Sequence, residues 1–369
     1  MVNIFYDYKI FYNQKFGGPS RYFLSLIDLI KKKGNNCYIS SPIYYNEYLR
    51  EFDVKNPNLI YGKYFKKKFK YTSKFFSLYN YLISSLKLNS KKYDIYHPTY
   101  YGKGLLNLHN VPIILTVYDL IHEKFNSKDK ISLINNKRYL LEKAAKIICI
   151  SKNTQNDLIN FYNIDKRKTS VIYPGVKNIF VENNDEKKII SKTKPYILYV
   201  GTRNKYKNYI NFLKAYSLSS KLKKDFNIIF FGGGSISLNE KKLIIELGLD
   251  IKNILYFEGN DNKIKAYYEN ASILIYPSLY EGFGIVPLEA MNYSCPVVSS
   301  NTSCLPEVQG NASLKFDPYS VEDIKDKIEK VLYSEEIRKE LILNGKNRIK
   351  QFSWEKCANE TQLIYKQLI

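Results

Sequence analysis

Short apolar runs alternate along this chain with longer segments whose apolar residues fall three and four positions apart. Residues 3–6, 113–117, 195–200, 226–231, 253–257 and 272–277 are each mostly apolar and are bounded by glycine, proline or polar side chains. Runs of that length without alternation read as strands of a buried parallel sheet. Phe23, Leu26, Ile27 and Ile30 mark one face of a helix ending near Gly34. Trp354, Ala358, Thr361, Tyr365 and Leu368 mark a face of another at the carboxyl end. Strand and helix in alternation predict an α/β architecture built of βαβ units.

At 369 residues the chain is large for one core and suits two domains of ordinary size. The pattern assigns 1–174, with the terminal helix at about 354–369, to the first domain and 175–353 to the second. The junction falls near Pro174 and Gly175, ahead of a polar stretch at 182–194. There is no run of 18 apolar residues to span a bilayer, and the chain enters a strand at once without a charged-then-apolar leader. Five cysteines, at 37, 149, 295, 304 and 357, lack metal-binding spacing. With three scattered histidines, they argue against a zinc site and for a reducing, cytoplasmic compartment.

The densest chemistry lies at residues 281–291, Glu-Gly-Phe-Gly-Ile-Val-Pro-Leu-Glu-Ala-Met. A strand precedes it, Pro287 suits a helix's first turn, where an N–H has no partner to lose, and residues 295–299 return to strand. The loop therefore lies at the carboxyl end of a parallel sheet, where open α/β folds bind ligands. Gly282 and Gly284 allow close backbone approach, and the helix start behind them attracts phosphate. Glu281 and Glu289 offer carboxylates to sugar or ribose hydroxyls. A nucleotide sugar presents phosphate and hydroxyls together. A second cluster, Arg203, Lys205 and Lys207, follows the run at 195–200. It reads either as a solvated turn or as a cationic clamp on a leaving diphosphate, whose charge grows as the sugar bond breaks.

The string at 281–291 resembles the E-x7-E signature of family-4 (group 1) retaining glycosyltransferases, enzymes of the GT-B fold with two facing Rossmann-like domains. The resemblance runs nearly end to end. Gly17 and Gly18 stand where the family brings a Gly-Gly pair close to the donor diphosphate, and Asp119 where an aspartate lies near the donor sugar. Lys207-Asn208 matches the family's basic residue before a helix, while Tyr118 departs from the histidine that relatives often carry. The resemblance implies a donor held mainly by the second domain, an acceptor received by the first, and a last helix that crosses back to the first. Glu289 then binds ribose hydroxyls, and Glu281 binds the donor sugar with backbone groups of Phe283 and Gly284. Ile285 and Val286 present N–H groups to phosphate, and Arg203 and Lys207 stabilise the departing diphosphate. The family's account of retention is front-face displacement, in which the leaving phosphate takes the acceptor's proton. There is no Asp-x-Asp pair to hold a divalent ion, so neither metal nor other cofactor is expected. His97, at another strand end, reads first as a structural hydrogen-bonding residue.

The net charge of +22 is unevenly placed. Residues 1–174 hold 29 basic against 12 acidic residues, a net +17, and the remainder carries +5. An AT-rich codon bias toward lysine acts on both halves alike and does not explain the difference. Lys31 to Lys33, and Lys66 to Lys68 with Lys70, are joined in the second cluster by Tyr64, Phe65, Phe69, Tyr71, Phe75 and Phe76. Basic and aromatic residues together suit an anionic membrane surface, and also nucleic acid. The membrane is favoured, because acceptors of the resembled family are often lipid-linked. The resulting expectation is a metal-independent retaining transferase, cytoplasmic or peripheral on the membrane, moving a hexose from a nucleotide-diphosphate sugar to a glycan or lipid-linked acceptor. Among donors it leans to GDP-mannose. Two rivals are a sugar-nucleotide epimerase on the same fold, which consumes donor alone, and a non-catalytic binder of polyanions or membranes.

Overall fold

A computed structural model of the chain describes residues 1–67, 72–176, 194–259 and 261–369. Lys68, Phe69, Lys70 and Tyr71 of the basic-aromatic cluster, and residues 182–193 of the polar stretch, lie outside them. Two compact units emerge, Met1–Gly175 with Trp354–Ile369, and Val176–Ser353.

In the first unit, β1 (Asn3–Tyr6), β2 (Asn36–Tyr44), β3 (Ile60–Tyr64) and β4 (Ile95–His97) form a parallel sheet in the order β3-β2-β1-β4. A bridge between Tyr96 and Ile113 continues it into β5 (Ile114–Val117), β6 (Lys146–Cys149) and β7 (Thr169–Val171). The helix Gly18–Lys32 buries Phe23, Leu26, Ile27 and Ile30, as the spacing predicts. Helix Trp354–Lys366 packs on it through Cys357, Ala358, Thr361, Ile364 and Tyr365. Leu368 lies past the helix end and is half-exposed, because the chain leaves helical geometry after Lys366.

The second unit is one six-stranded parallel sheet. Its strands are β8 (Tyr196–Val200), β9 (Asn227–Phe231), β10 (Ile254–Phe257), β11 (Ile273–Tyr276), β12 (Val297–Ser300) and β13 (Leu314–Phe316), in the order β10-β9-β8-β11-β12-β13. The centre is β8 with β11, and β9, although wholly buried, is next to the edge strand β10. Ile197, Tyr199, Ile228, Phe230, Ile273 and Ile275 project from the sheet into one core with Phe212, Leu213, Ile324 and Ile328 of the covering helices. Strands buried on both sides explain why these runs are continuously apolar rather than alternating.

Both units thus share one winding. The chain builds three strands outward, returns past the first, and builds outward on the other side, so the order reverses between β1 and β4 and again between β8 and β11.

Candidate functional site

Because β8 and β11 are neighbours at the reversal, the loops leaving their carboxyl ends open onto one place. The loop after β8 makes a single tight turn, Lys205–Lys207, and passes through the left-handed Asn208 into the helix Tyr209–Leu218. The loop after β11 carries Glu281. The two meet: Lys207 Nζ lies 2.6 Å from Glu281 Oε1 and 3.3 Å from the Tyr276 hydroxyl. The side chains of the ion pair are only 15% and 10% exposed. Burial, and then the Glu281 charge, push the Tyr276 phenol well above its ordinary pKa. It therefore stays protonated beside the pair.

The main chain at Glu281 is held by the loop after β12. Thr302 donates from Oγ1 to the carbonyls of Ser278 (3.3 Å) and Leu279 (3.0 Å). The Glu281 N–H donates to Ser303 Oγ at 3.0 Å, and Cys304 Sγ sits 3.1 Å from the Glu281 carbonyl. The Leu279 N–H also donates to the Tyr206 carbonyl at 2.8 Å, tying the two site loops to each other.

Three residues on, Gly284 caps the helix Ile285–Asn292 with φ of 78°. A Cβ there would also stand 2.7 Å from Leu305 Cδ2, so conformation and space both call for glycine. Phe283 is buried, with its ring 5.5 Å from that of Phe352. Ile285 and Val286 open the helix, where N–H groups lack intrahelical partners, and Pro287 completes the first turn. Glu289 is one turn further, buried, and accepts a hydrogen bond from the Tyr268 hydroxyl at 3.1 Å. The Tyr268 ring in turn stacks on Tyr293 at 5.9 Å.

Arg203 does not join this cluster. Its guanidinium donates to the carbonyls of Gly232 (3.2 Å), Gly234 (2.6 Å) and Ser235 (3.0 Å), pairs with Glu240, and lies over the Phe230 ring. Gly232, Gly233 and Gly234 all have positive φ, and the turn they form presents several carbonyls that one planar fork satisfies together. The expected pair of cations is therefore divided: Lys207 stands beside Glu281, Arg203 holds the turn after β9, and Lys205 is exposed.

In the first unit, Gly17 caps the helix Gly18–Lys32 and lies so close to the Gln14 amide that a Cβ would meet Oε1 at 2.3 Å. Asp119 follows β5, where Oδ1 accepts the Ile121 N–H at 3.1 Å. The Asp119 carbonyl accepts from Lys137, whose Nζ is buried in a 2.8 Å ion pair with Glu123. Tyr118 packs among Tyr22, Tyr100 and Tyr101, and its hydroxyl donates to the Thr99 carbonyl at 3.4 Å. His97 closes β4 rather than following it. Its ring nitrogens lie 2.7 Å from the Tyr365 hydroxyl and 2.9 Å from Thr116 Oγ1, and burial lowers its pKa to about 3. Both ring nitrogens are thus engaged within the first unit.

Sequence reasoning passes over Tyr276, Tyr268 and the Thr302-Ser303-Cys304 brace. It also passes over Asp7, which follows β1. The Asp7 carboxylate accepts from the Thr99 N–H (3.0 Å), Thr99 Oγ1 (2.7 Å), the Tyr96 hydroxyl (2.8 Å) and the Lys9 N–H (3.1 Å). The available signal is a carboxylate set directly after a strand of apolar and aromatic residues. Among the described residues, no three His, Cys, Asp or Glu side chains gather as metal ligands.

Residues 16–178 match the family model of glycosyltransferase family 4, and residues 180–348 that of the glycosyl transferases group 1. The O-antigen chain mannosyltransferase B of Escherichia coli is 27% identical over 296 residues, which cover 76% of each chain. Among solved structures, sucrose-phosphate synthase of Thermosynechococcus elongatus superposes with a TM-score of 0.77 at 18% identity, covering 99% of this chain and 98% of that one. HepE of Anabaena in complex with UDP-glucose gives a TM-score of 0.74 at 13% identity, covering 99% of both. The two family models between them span both units, and the chain belongs to the family-4, group 1 glycosyltransferases with the GT-B fold.

Proposed function

We propose that this glycosyltransferase moves a hexose, with retention, from a nucleotide-diphosphate sugar to a glycan or lipid-linked acceptor in polysaccharide biosynthesis. The observation that carries the reading is the buried Lys207–Glu281 pair at the reversal of the second sheet, one loop ahead of the helix that starts at Ile285. Lys207 supplies positive charge where the leaving diphosphate gains negative charge, and a low-polarity setting strengthens that attraction. The N–H groups of Ile285 and Val286 receive phosphate oxygens. Glu281, with the backbone of Phe283 and Gly284, takes the donor sugar's hydroxyls, and Glu289 those of the ribose. When donor binds, Glu281 exchanges part of its contact with Lys207 for sugar, and the lysine is left to phosphate. Arg203 acts as a positioning residue through the glycine turn it holds. Gly17, Gly18 and Asp119 keep the donor-side roles that the family resemblance implies. Protein cations, rather than a divalent ion, balance the diphosphate. Proton transfer passes from acceptor to leaving phosphate on the same face of the sugar.

The bound UDP-glucose of the HepE structure and the mannosyl transfer named for the E. coli relative support a nucleotide sugar and a glycan as substrates. The relative favours GDP-mannose as donor. Proton NMR of the purified protein with a panel of nucleotide sugars, without added metal, tests the reading. Slow release of nucleoside diphosphate from one donor, with the α-anomer first from an α-linked donor, is the expected result. Isomerisation of a donor without release makes the protein an epimerase. Absence of turnover with every donor and with lipid-linked acceptors removes the transferase assignment of the pair.

A further inference from the structure

The helix Ser73–Ser90 of the first unit has two unlike faces. Its fully buried residues are mostly polar, Asn80, Ser84 and Ser85 with Leu88, and beside them Phe76 and Tyr81 pack half-buried against Tyr8, Tyr12, Ile43 and Tyr45. Asn80 clasps β2, its Oδ1 accepting the Ile43 N–H at 2.7 Å and its Nδ2 donating to the Ile43 carbonyl at 3.0 Å. Ser84 Oγ donates to Ser40 Oγ at 2.9 Å, and Ser85 Oγ accepts the Leu106 N–H at 3.2 Å. The opposite face is apolar and bare. Phe75 is 66% exposed, Leu78 55%, Leu82 50% and Leu86 67%. Spacings of three and four residues stack these side chains, with Tyr79, in one stripe about 100° wide. Asn89 joins the helix end to the neighbouring loop through Leu106 and Leu108, two more exposed leucines, which lengthen the stripe.

A surface helix ordinarily places its apolar stripe against the core. Here hydrogen bonds from Asn80 and Ser84 to β2 hold the polar face inward and fix the stripe outward. A contiguous apolar patch of this kind marks an interaction surface. Its surroundings identify the chemistry. From residue 54 to residue 93 the sequence contains ten lysines and no aspartate or glutamate. Lys66 and Lys67 lie exposed by the helix start, where Phe65 packs 6.1 Å from Phe76. Lys74 is on the first turn, and Lys91 and Lys92 are exposed just past the last. The Lys31 to Lys33 cluster differs: it ends another helix and is engaged with Asn56, Asp28 and Glu355.

We infer that the outer face of the helix Ser73–Ser90 lies in the interfacial plane of an anionic lipid bilayer, with Phe75, Leu78, Leu82 and Leu86 among the acyl chains and the lysines at both helix ends on lipid phosphates. An apolar line about 17 Å long on a helix of about 27 Å, with cations at both ends and no acid between, suits headgroups above hydrocarbon. A second copy of the chain fits poorly, since a two-fold contact sets each lysine cluster against itself or its like. No residue of this surface belongs to the proposed donor site, and the inference does not depend on the proposed chemistry.

Flotation of the full chain with vesicles of phosphatidylglycerol and phosphatidylcholine, against phosphatidylcholine alone, is the test. Binding is expected to anionic vesicles, to weaken tenfold or more between 50 and 500 mM salt, and to fall at least tenfold in L82E/L86E. That double variant should keep the wild-type circular dichroism and donor hydrolysis. Should it misfold, K66Q/K67Q/K74Q serves instead and is expected to weaken binding and flatten the salt dependence. The inference is overturned if wild type ignores anionic vesicles, if either folded variant binds like wild type, or if ultracentrifugation shows a dimer that L82E/L86E dissociates.

Discussion

The two sheets reverse their strand order in the same way, yet the residues at the two reversals do opposite things. After β8 and β11 the second unit brings together a lysine and a glutamate, braced from behind by Tyr276 and the Thr302-Ser303-Cys304 loop. After β1 and β4 the first unit brings together Asp7 and Thr99, with the Tyr96 hydroxyl and His97 sealed nearby. Asp7 accepts four hydrogen bonds from its own unit, which leaves little capacity for a ligand. The loop that carries Glu281 leads into a helix start, whose first N–H groups have no intrahelical partner. A shared topology supplies the crevice, and the loop residues decide whether it is a site or a joint.

The largest expected effect breaks the second reversal. Lys207→Ala should lower turnover by about 10²–10³, as removal of one transition-state donor does. It also leaves Glu281 as a nearly buried charge without its cation, costing about 3 kcal/mol of stability. Pairing Lys207→Met with Glu281→Gln should restore most of that stability by removing both charges, while activity stays lost. Chemical denaturation and single-turnover donor hydrolysis on the same samples separate the two. If activity returns with stability, the pair is a structural joint like Asp7 and the contrast collapses.

The first reversal should respond the other way. Asp7→Ala leaves buried Thr99 and Tyr96 groups without their acceptor and should cost about 3 kcal/mol by urea denaturation. Donor hydrolysis per folded molecule should stay within about twofold, far below the change expected of a transition-state contact. A loss matching that of Lys207→Ala would make Asp7 a site residue.

His97 gives the same contrast a pH signature. Burial holds its folded pKa at about 3, below the ordinary 6.5, so the folded state keeps the ring neutral where the unfolded chain protonates it. The associated stability is fully present above pH 6.5 and is lost as pH falls toward about 3, with a slope approaching about 1.4 kcal/mol per pH unit. Denaturation midpoints across that window should show the slope in wild type, and His97→Gln should remove it. Turnover of folded protein should not follow this titration. If it does, His97 belongs to the chemistry.

How much of this was legible in the sequence follows from how far apart the cooperating residues are. The strand, loop, helix and strand around residues 272–299 could be read directly, because Gly284, Pro287 and the apolar runs act on their own neighbours. Lys207 and Glu281 were each legible as site candidates from the family string, but not as one ion pair, since 74 residues separate them. The setting of Arg203 was not legible either, because the three carbonyls its guanidinium engages lie about thirty residues away. The Ser303 brace left no local signal: a serine with φ of 53° has nothing unusual in its sequence setting. The helix Ser73–Ser90 escaped for another reason. Its apolar period was present, but only the bonds from Asn80 and Ser84 to β2 reveal that the stripe points outward.

The smallest effect sharpens the comparison most finely, because it concerns a contact that should matter for binding alone. Tyr268 donates to Glu289, on the helix that opens the site, and stacks on Tyr293. Tyr268→Phe keeps the ring and its stacking but removes the hydroxyl, so the carboxylate loses one orienting bond, worth about 1 kcal/mol. Glu289 is assigned to the ribose, which is held equally in ground and transition states. Such uniform binding predicts a donor KM raised roughly fivefold with kcat unchanged. A steady-state titration of donor on the two proteins checks it. If kcat falls while KM holds, Glu289 acts at the reacting end, and the ribose and sugar assignments of the two glutamates must be exchanged. If neither changes, the carboxylate is held by the helix itself, and the second reversal resembles the first more than the Lys207–Glu281 pair suggests.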